Sequence, residues 1–313
     1  MHTRLRLPAC SLICLCLTTA AIAQGPTYTD PDDADADFAV QGEYVATEGD
    51  KEMGVHVIAL GNGQFDVVVY DGGLPGAGWD GKSKERMKGE LAGGVFKVDG
   101  VEVVDGKWND VIVKKVHRES PTLGAKPPAG AVVLFDGTSA DAFQNGKMTD
   151  DGLLQQGCTS KQKFGSHKLH IEFRCPYKPL ARGQARGNSG LYLQGRYEVQ
   201  MLDSFGLEGL QNECGGIYSV GPPAVNMCFP PLSWQTYDVD YTAAKYDEDG
   251  NLVSNPRITV RHNGVLIHDD QELPGHRNTT AAPVKAGPEP GPVYLQDHGN
   301  PVRYRNIWVV ETD

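Results

Sequence analysis

Glu198, Gln200 and Asp203 follow an i, i+2, i+5 spacing in a stretch rich in alternating apolar and polar residues. Two carboxylates on one sheet face can divide acid and base work between them. An amide between them can orient a hydroxyl-bearing substrate. Strict alternation places Glu198 and Gln200 on one side and sends Asp203 to the other. A bulge after Gln200 would return Asp203 to the side of Glu198. Arg186, Asn188 and Tyr192 converge on the same face from the preceding run. Near the end of the chain Gln296 and His298 share parity, as do Arg303 and Arg305, adding amide, imidazole and guanidinium groups. Tyr192 and Trp234 could supply an apolar platform. Polar outward faces are ordinary in antiparallel sheets, so the convergence of these groups points to a site, not any single carboxylate.

The elements that must hold these residues are strands. Leu191 and Leu193 fall on one face of the first run, and Tyr197, Val199 and Met201 on one face of the second. A two-residue loop would set the leucines beside Glu198 and Gln200. A three-residue loop, Gln194 to Arg196, sets them beside Tyr197, Val199 and Met201 and leaves one face wholly apolar. A one-residue slip would mix the two faces, so the odd loop is expected. Leu169 to Arg174, Trp234 to Tyr241 and Tyr304 to Val310 also alternate, and Asn263-Gly264 marks the tip of a further hairpin over Arg257 to His268. No stretch of helical period and useful length is present. Residues 131–313 therefore read as a two-sheet jelly-roll sandwich of the all-β class.

Ahead of it, residues 38–118 read as a small all-β domain, with strands over Tyr44-Val45, Gly54 to Leu60 and Phe65 to Tyr70 and three or four more between 85 and 116. The glycine-rich run 72–81 lacks the helix and Lys-Ser/Thr of a phosphate loop, and its Trp79 is a candidate sugar contact. Pro121, Pro127 and Pro128 make 119–130 a semi-rigid linker. Residues 24–37, rich in aspartate, read as a disordered acidic leader.

The chain of 313 residues carries a formal charge of −11 and no basic stripe, which argues against nucleic acid and anionic membranes as partners. Arg4 and Arg6, the short apolar run Leu7 to Ala20 and Ala21-Ile22-Ala23 make residues 1–23 a signal peptide, so a periplasmic or extracellular location is expected. Cys158, Cys175, Cys214 and Cys228 remain beyond it, an even number that permits disulfides. Proximity suggests Cys214 with Cys228 and Cys158 with Cys175, with four buried thiols as the other reading. No Cys-x-x-Cys pair or matched histidine spacing suggests zinc.

Leu134-Phe135-Asp136-Gly137, Gly187-Asn188-Ser189-Gly190, Arg196-Tyr197-Glu198-Val199-Gln200, Trp234-Gln235-Thr236-Tyr237-Asp238, Gln296-Asp297-His298-Gly299-Asn300 and Arg303-Tyr304-Arg305-Asn306-Ile307-Trp308 occur in this order. Together they resemble the 3-keto-disaccharide hydrolase family over about residues 130–311. The resemblance implies a concanavalin-like jelly roll acting on glycosides whose sugar is oxidised to a ketone at carbon 3. Such a ketone acidifies the carbon-2 hydrogen. A base removes it, the enolate expels the aglycone from carbon 1, and water adds across the double bond.

On this resemblance Glu198 is the expected base and His298 or Asp203 the acid. Arg186, Arg303 or Arg305 and Asn188 would hold the enolate and hydroxyls, and Gln200 and Gln296 would orient the sugar. No cofactor is required, although a divalent ion on Glu198, Asp203 and His298 could replace the arginines as electrophile. The alternative from another class is a non-catalytic carbohydrate-binding jelly roll, since fold alone does not decide function. That alternative needs platforms and hydrogen bonds but no acid–base pair.

Overall fold

The computed structural model describes residues 25–312, and the expected signal peptide lies outside them. Nearly every described element is a strand. Strands between Gly42 and Val116 pair sequentially and antiparallel, and Gly42–Glu48 closes on Val111–Val116 to make an eight-stranded barrel. Five strands fall between residues 84 and 116, more than alternation indicated, because Val101–Val104 and Lys107–Trp108 are too short to show a period.

Two sheets follow. One has the order Phe143–Gln144, Cys158–Phe164, Gly291–Leu295, Ser189–Leu193, Tyr197–Met201. The other runs Leu154–Gln155, Arg303–Glu311, His167–Arg174, Gln235–Thr242, Arg257–His262, Val265–Glu272, with Val132–Phe135 also on Arg303–Glu311. Leu191, Leu193, Val199, Met201, Val293 and Leu295 from the first sheet meet Leu169, Ile171, Phe173, Tyr237, Val239 and Tyr304 from the second in one core. This is the two-sheet sandwich, and its inner faces are the apolar parities of the strands.

The central hairpin pairs Leu191 with Val199, Tyr192 with Glu198 and Leu193 with Tyr197, which leaves the three-residue loop 194–196. Gln194 and Gly195 both take positive φ there, at 51° and 64°. The tip Asn263-Gly264 has φ of 50° and 79°, the conformation that Asn-Gly supplies at least cost.

Two expectations about the connecting segments are corrected, and of the two readings of the cysteines the free thiols hold. The acidic leader is ordered. Tyr28 bridges Tyr177, Asp35 caps the helix Ala36–Val40 and accepts from the Tyr177 hydroxyl, and Asp37 accepts from Gly63 N at 2.9 Å. Its aspartates find donors, which composition cannot show. The linker is strapped across the outer face of the second sheet: Ser120 bonds Thr236 at 2.6 Å, Gly124 N donates to Glu172, and Ala125 O accepts from Asn306. The four cysteines are free and buried, their thiols packed in the core; Cys214 lies 3.3 Å from the Tyr237 hydroxyl.

Barrel and sandwich share a close seam. His56 stacks on Phe205 at 4.3 Å, Arg86 donates to Gly206 O, and Arg182 donates to Leu60 O. Trp79 is packed edge-on against Tyr70, and its indole N–H donates to Ser83 O.

Candidate active site

The outer face of the first sheet carries a hollow of about 140 Å³ lined by Gln184, Asn188, Glu198, Gln200, Tyr218, Thr280, Ala281, Gln296 and His298. This is below the roughly 300–1,000 Å³ of drug-sized pockets, so it suits one ring-sized group more than a chain.

Glu198 sits at its base, opposite Tyr192 in the hairpin register. Its residue is 3% exposed. Burial pushes the carboxyl up from 4.5 to about 7, and a hydrogen bond with Tyr192 offsets only part of that. The backbone beneath is pinned on both sides: Glu198 N donates to Thr279 Oγ1 at 3.0 Å, and its carbonyl accepts from Tyr218 N. Gly190 explains how the carboxyl fits. A Cβ at that position would collide with Glu198, with the carboxyl carbon at 2.9 Å. Glycine here leaves room for the carboxyl in this position through close approach and not through an unusual φ.

Gln184 organises the amides. Its Nε2 donates to Asn212 O at 2.8 Å, which turns its Oε1 toward the sheet. That oxygen accepts from Asn188 Nδ2 at 2.9 Å and from Gln200 Nε2 at 3.0 Å. Asn188 Nδ2 also donates to Gln184 O. Flipping either amide would set carbonyl against carbonyl, so the orientations follow from the network. The consequence is that Asn188 Oδ1 and Gln200 Oε1 are buried without a partner. Two acceptors of fixed direction thus stand unpaired in the same hollow as a desolvated carboxyl, an arrangement suited to hydroxyl donors.

Gln296 donates from Nε2 to the Tyr192 hydroxyl at 3.1 Å, and that hydroxyl lies 3.1 Å from Thr280 O, an alternative to Glu198 as acceptor of its one proton. His298 is exposed at the rim. Its loop is held by Asn300, which donates to His298 O and accepts from Lys178 Nζ and from Gly187 N. One buried amide thus ties the His298 loop to the loop bearing Gln184 and Asn188.

Of the residues expected to converge, Glu198, His298, Asn188, Gln200 and Gln296 line the hollow. Tyr192 lies beneath it, fully buried, and supplies a hydroxyl in place of an apolar platform. Asp203 does not come back to the side of Glu198. The hairpin pairs without a bulge through Met201, so Asp203 faces the barrel seam and meets Arg186 Nε at 2.7 Å. Arg186 also donates to Ala59 O of the barrel. The cation set Glu198, Asp203, His298 is therefore not assembled, and among the described residues no three His, Cys, Asp or Glu are grouped for a metal.

Arg303, Arg305 and Trp234 lie with the other sheet. Arg305 pairs with Glu172 at 2.6 Å and lies 4.0 Å over the Trp234 ring, and Arg303 donates to Gln156. Their strand belongs to the second sheet and their parity is opposite to core Tyr304, so they face away from the hollow. Gln184 was not named as a site residue, although Gly183, Gly187 and Gly190 around it were a signal that could have found it. Tyr218, Thr280 and Ala281 carried no local signal, since they come from irregular loops.

Residues 130–310 match the family model of the 3-keto-alpha-glucoside-1,2-lyase-like domain. A solved "putative glycosyl hydrolase" of Parabacteroides distasonis is 34% identical, with a TM-score of 0.54, over 59% of this chain and 85% of its own. A second solved protein of the same description and organism is 19% identical, with a TM-score of 0.43, over 59% of this chain and 94% of its own. No curated protein matches the chain.

Proposed function

Since the chain belongs to the 3-keto-alpha-glucoside-1,2-lyase-like family, a carbohydrate-active role is its premise, and we propose that it cleaves glycosides oxidised at carbon 3. Glu198 takes the carbon-2 proton. A carboxyl held at about 7 is half ionised near neutrality and is a stronger base than an ordinary glutamate. The carbon-3 ketone spreads the resulting charge onto its oxygen as an enolate. The enolate expels the aglycone from carbon 1, and His298 at the rim gives the departing oxygen its proton. Water then adds across the double bond, and the net change is hydrolysis.

Asn188 Oδ1 and Gln200 Oε1 accept hydrogen bonds from sugar hydroxyls and set the ring over Glu198. The arginines have no part in this, because Arg186 is engaged by Asp203 and the others stand on the opposite sheet. The family's enzymatic character and the desolvated carboxyl favour catalysis over simple sugar binding, which has no use for a base poised at neutrality. We infer export from the amino-terminal segment, to be checked by sequencing the amino terminus of the mature protein.

The supporting observation is the Glu198 carboxyl beside two orphaned amide oxygens. The test is to incubate the protein with matched native and 3-keto-glycosides in deuterated water. Cleavage of the keto substrate alone, with deuterium gained at carbon 2, is the expected result. Cleavage of the native glycoside at an equal rate would remove the elimination mechanism.

A further inference from the structure

A second cavity lies away from the sandwich site. It lies inside the barrel and measures about 560 Å³. An eight-stranded barrel is just wide enough to be filled by its own side chains or to hold one small ligand. Here the inward side chains leave space unfilled. Its walls include Ala46, Met53, Val55, Val57, Val67 and Met87. These side chains are at least nine-tenths buried, yet they surround open space.

The two ends of the barrel differ. The helix Ala36–Val40 closes one of them: Ala39 and Val40 line the cavity, and the Tyr44 hydroxyl donates to Val40 O. At the other end, where the turns 49–50 and 109–110 lie, the lining is exposed and polar, with Glu48, Lys51, Glu85, Asn109 and Asp110. Lys51 is engaged by Asp71 at 2.9 Å. The carboxylates Glu48, Glu85 and Asp110 therefore give this mouth a negative field, which repels anions. Trp108 adds one polar feature to the wall. Its indole N–H is buried and has no partner. A buried donor without an acceptor is costly, and an apolar void forfeits dispersion contacts.

We propose that this barrel is a binding site for a small, uncharged, largely apolar molecule that carries one hydrogen-bond acceptor, its acceptor directed to Trp108 Nε1. Volume, a closed end, an anion-repelling mouth and an orphaned donor all point to that class. The site is independent of Glu198 and of any glycoside chemistry.

The probe is N-phenyl-1-naphthylamine, a neutral dye that brightens in apolar surroundings, titrated into the purified protein with no glycoside present. Saturable binding of one dye per chain is expected, and Ala46→Trp, which fills the cavity, abolishes it. Trp108→Phe is then compared with wild type using 2-acetylnaphthalene and 2-ethylnaphthalene as competitors. The acetyl compound should lose about threefold to tenfold in affinity, the worth of one neutral hydrogen bond, while the ethyl compound is unchanged. This comparison decides the matter even if Ala46→Trp does not fold. Absence of saturable dye binding overturns the proposal. So does equal loss for both naphthalenes, or displacement of the dye by palmitate as readily as by neutral compounds.

Discussion

Replacing Glu198 by glutamine removes the ability to ionise while keeping shape, and its effect on folding has a definite pH signature. The folded-state pKa is raised, from 4.5 to about 7, because burial disfavours the charged form. A group raised in this way contributes stability that is fully present below its unfolded value and is lost as pH rises through the folded one. Above neutrality the wild type therefore carries a penalty of about 3 kcal/mol, from about 1.4 kcal/mol per pKa unit. Glutamine carries none. The stability of Glu198→Gln relative to wild type should increase by about 2–3 kcal/mol between about pH 5 and about pH 8. Urea melts across that range measure it directly, because the midpoint shifts while the slope stays constant. A difference that is flat with pH would mean that the carboxyl is not desolvated in the folded protein, and the case for it as a base tuned to neutrality would fall with it. The same variant should lose at least about 100-fold in turnover of a 3-keto-glycoside, the usual worth of a general base. The wild-type rate should climb through about pH 7 as the carboxyl ionises.

Three other outcomes follow from the geometry. Gly190→Ala should cut turnover by about tenfold or more with less than about 2 kcal/mol lost in stability, since its new methyl displaces the Glu198 carboxyl and leaves the core alone; kinetics and melts on one preparation check both halves. Arg186→Met strands Asp203 as a buried, unpaired charge and should destabilise the fold by about 3–5 kcal/mol, read from the denaturation midpoint. Arg305→Ala should leave kcat/KM within about twofold of wild type, because its guanidinium lies over Trp234 on the opposite sheet; a loss of several hundredfold would contradict the placement of the site.

Much of the sandwich was legible because burial on one face fixes register. Leu191, Leu193, Tyr197, Val199 and Met201 could share a face only through an odd loop, and they do. Parity put Glu198 and Gln200 on one outer face, and Asn188, Gln296 and His298 reach the same hollow from loops at the strand ends. It misled with Arg303 and Arg305, because alternation tells which side of its own strand a residue takes and not which sheet the strand joins. Asp203 was misplaced for a different reason: strict alternation sends it away from Glu198, and the bulge expected after Gln200 to bring it back does not form, so it pairs with Arg186 instead. Barrel closure depends on strands of two to four residues, too short for a period to register. The cysteines illustrate the limit of counting. An even number permits bridges, but these thiols sit in a core where Tyr237 and the carbonyls of Leu202 and Phe229 are within reach of Cys214 or Cys228.

The seam between the two units has a bearing on how such proteins can be recombined. The loop that carries Gln184 and Asn188 is gripped by barrel carbonyls at Ala59 and Leu60 through Arg186 and Arg182, and Phe205 is wedged against His56. One wall of the hollow is therefore built on a foundation that the chain lays down first. Exchanging the amino-terminal module for another would remove that footing. A chimaera would have to carry the arginine sockets and the aromatic wedge along with the sandwich, so the grafting boundary belongs on the far side of the seam and not in the proline-rich stretch between the units.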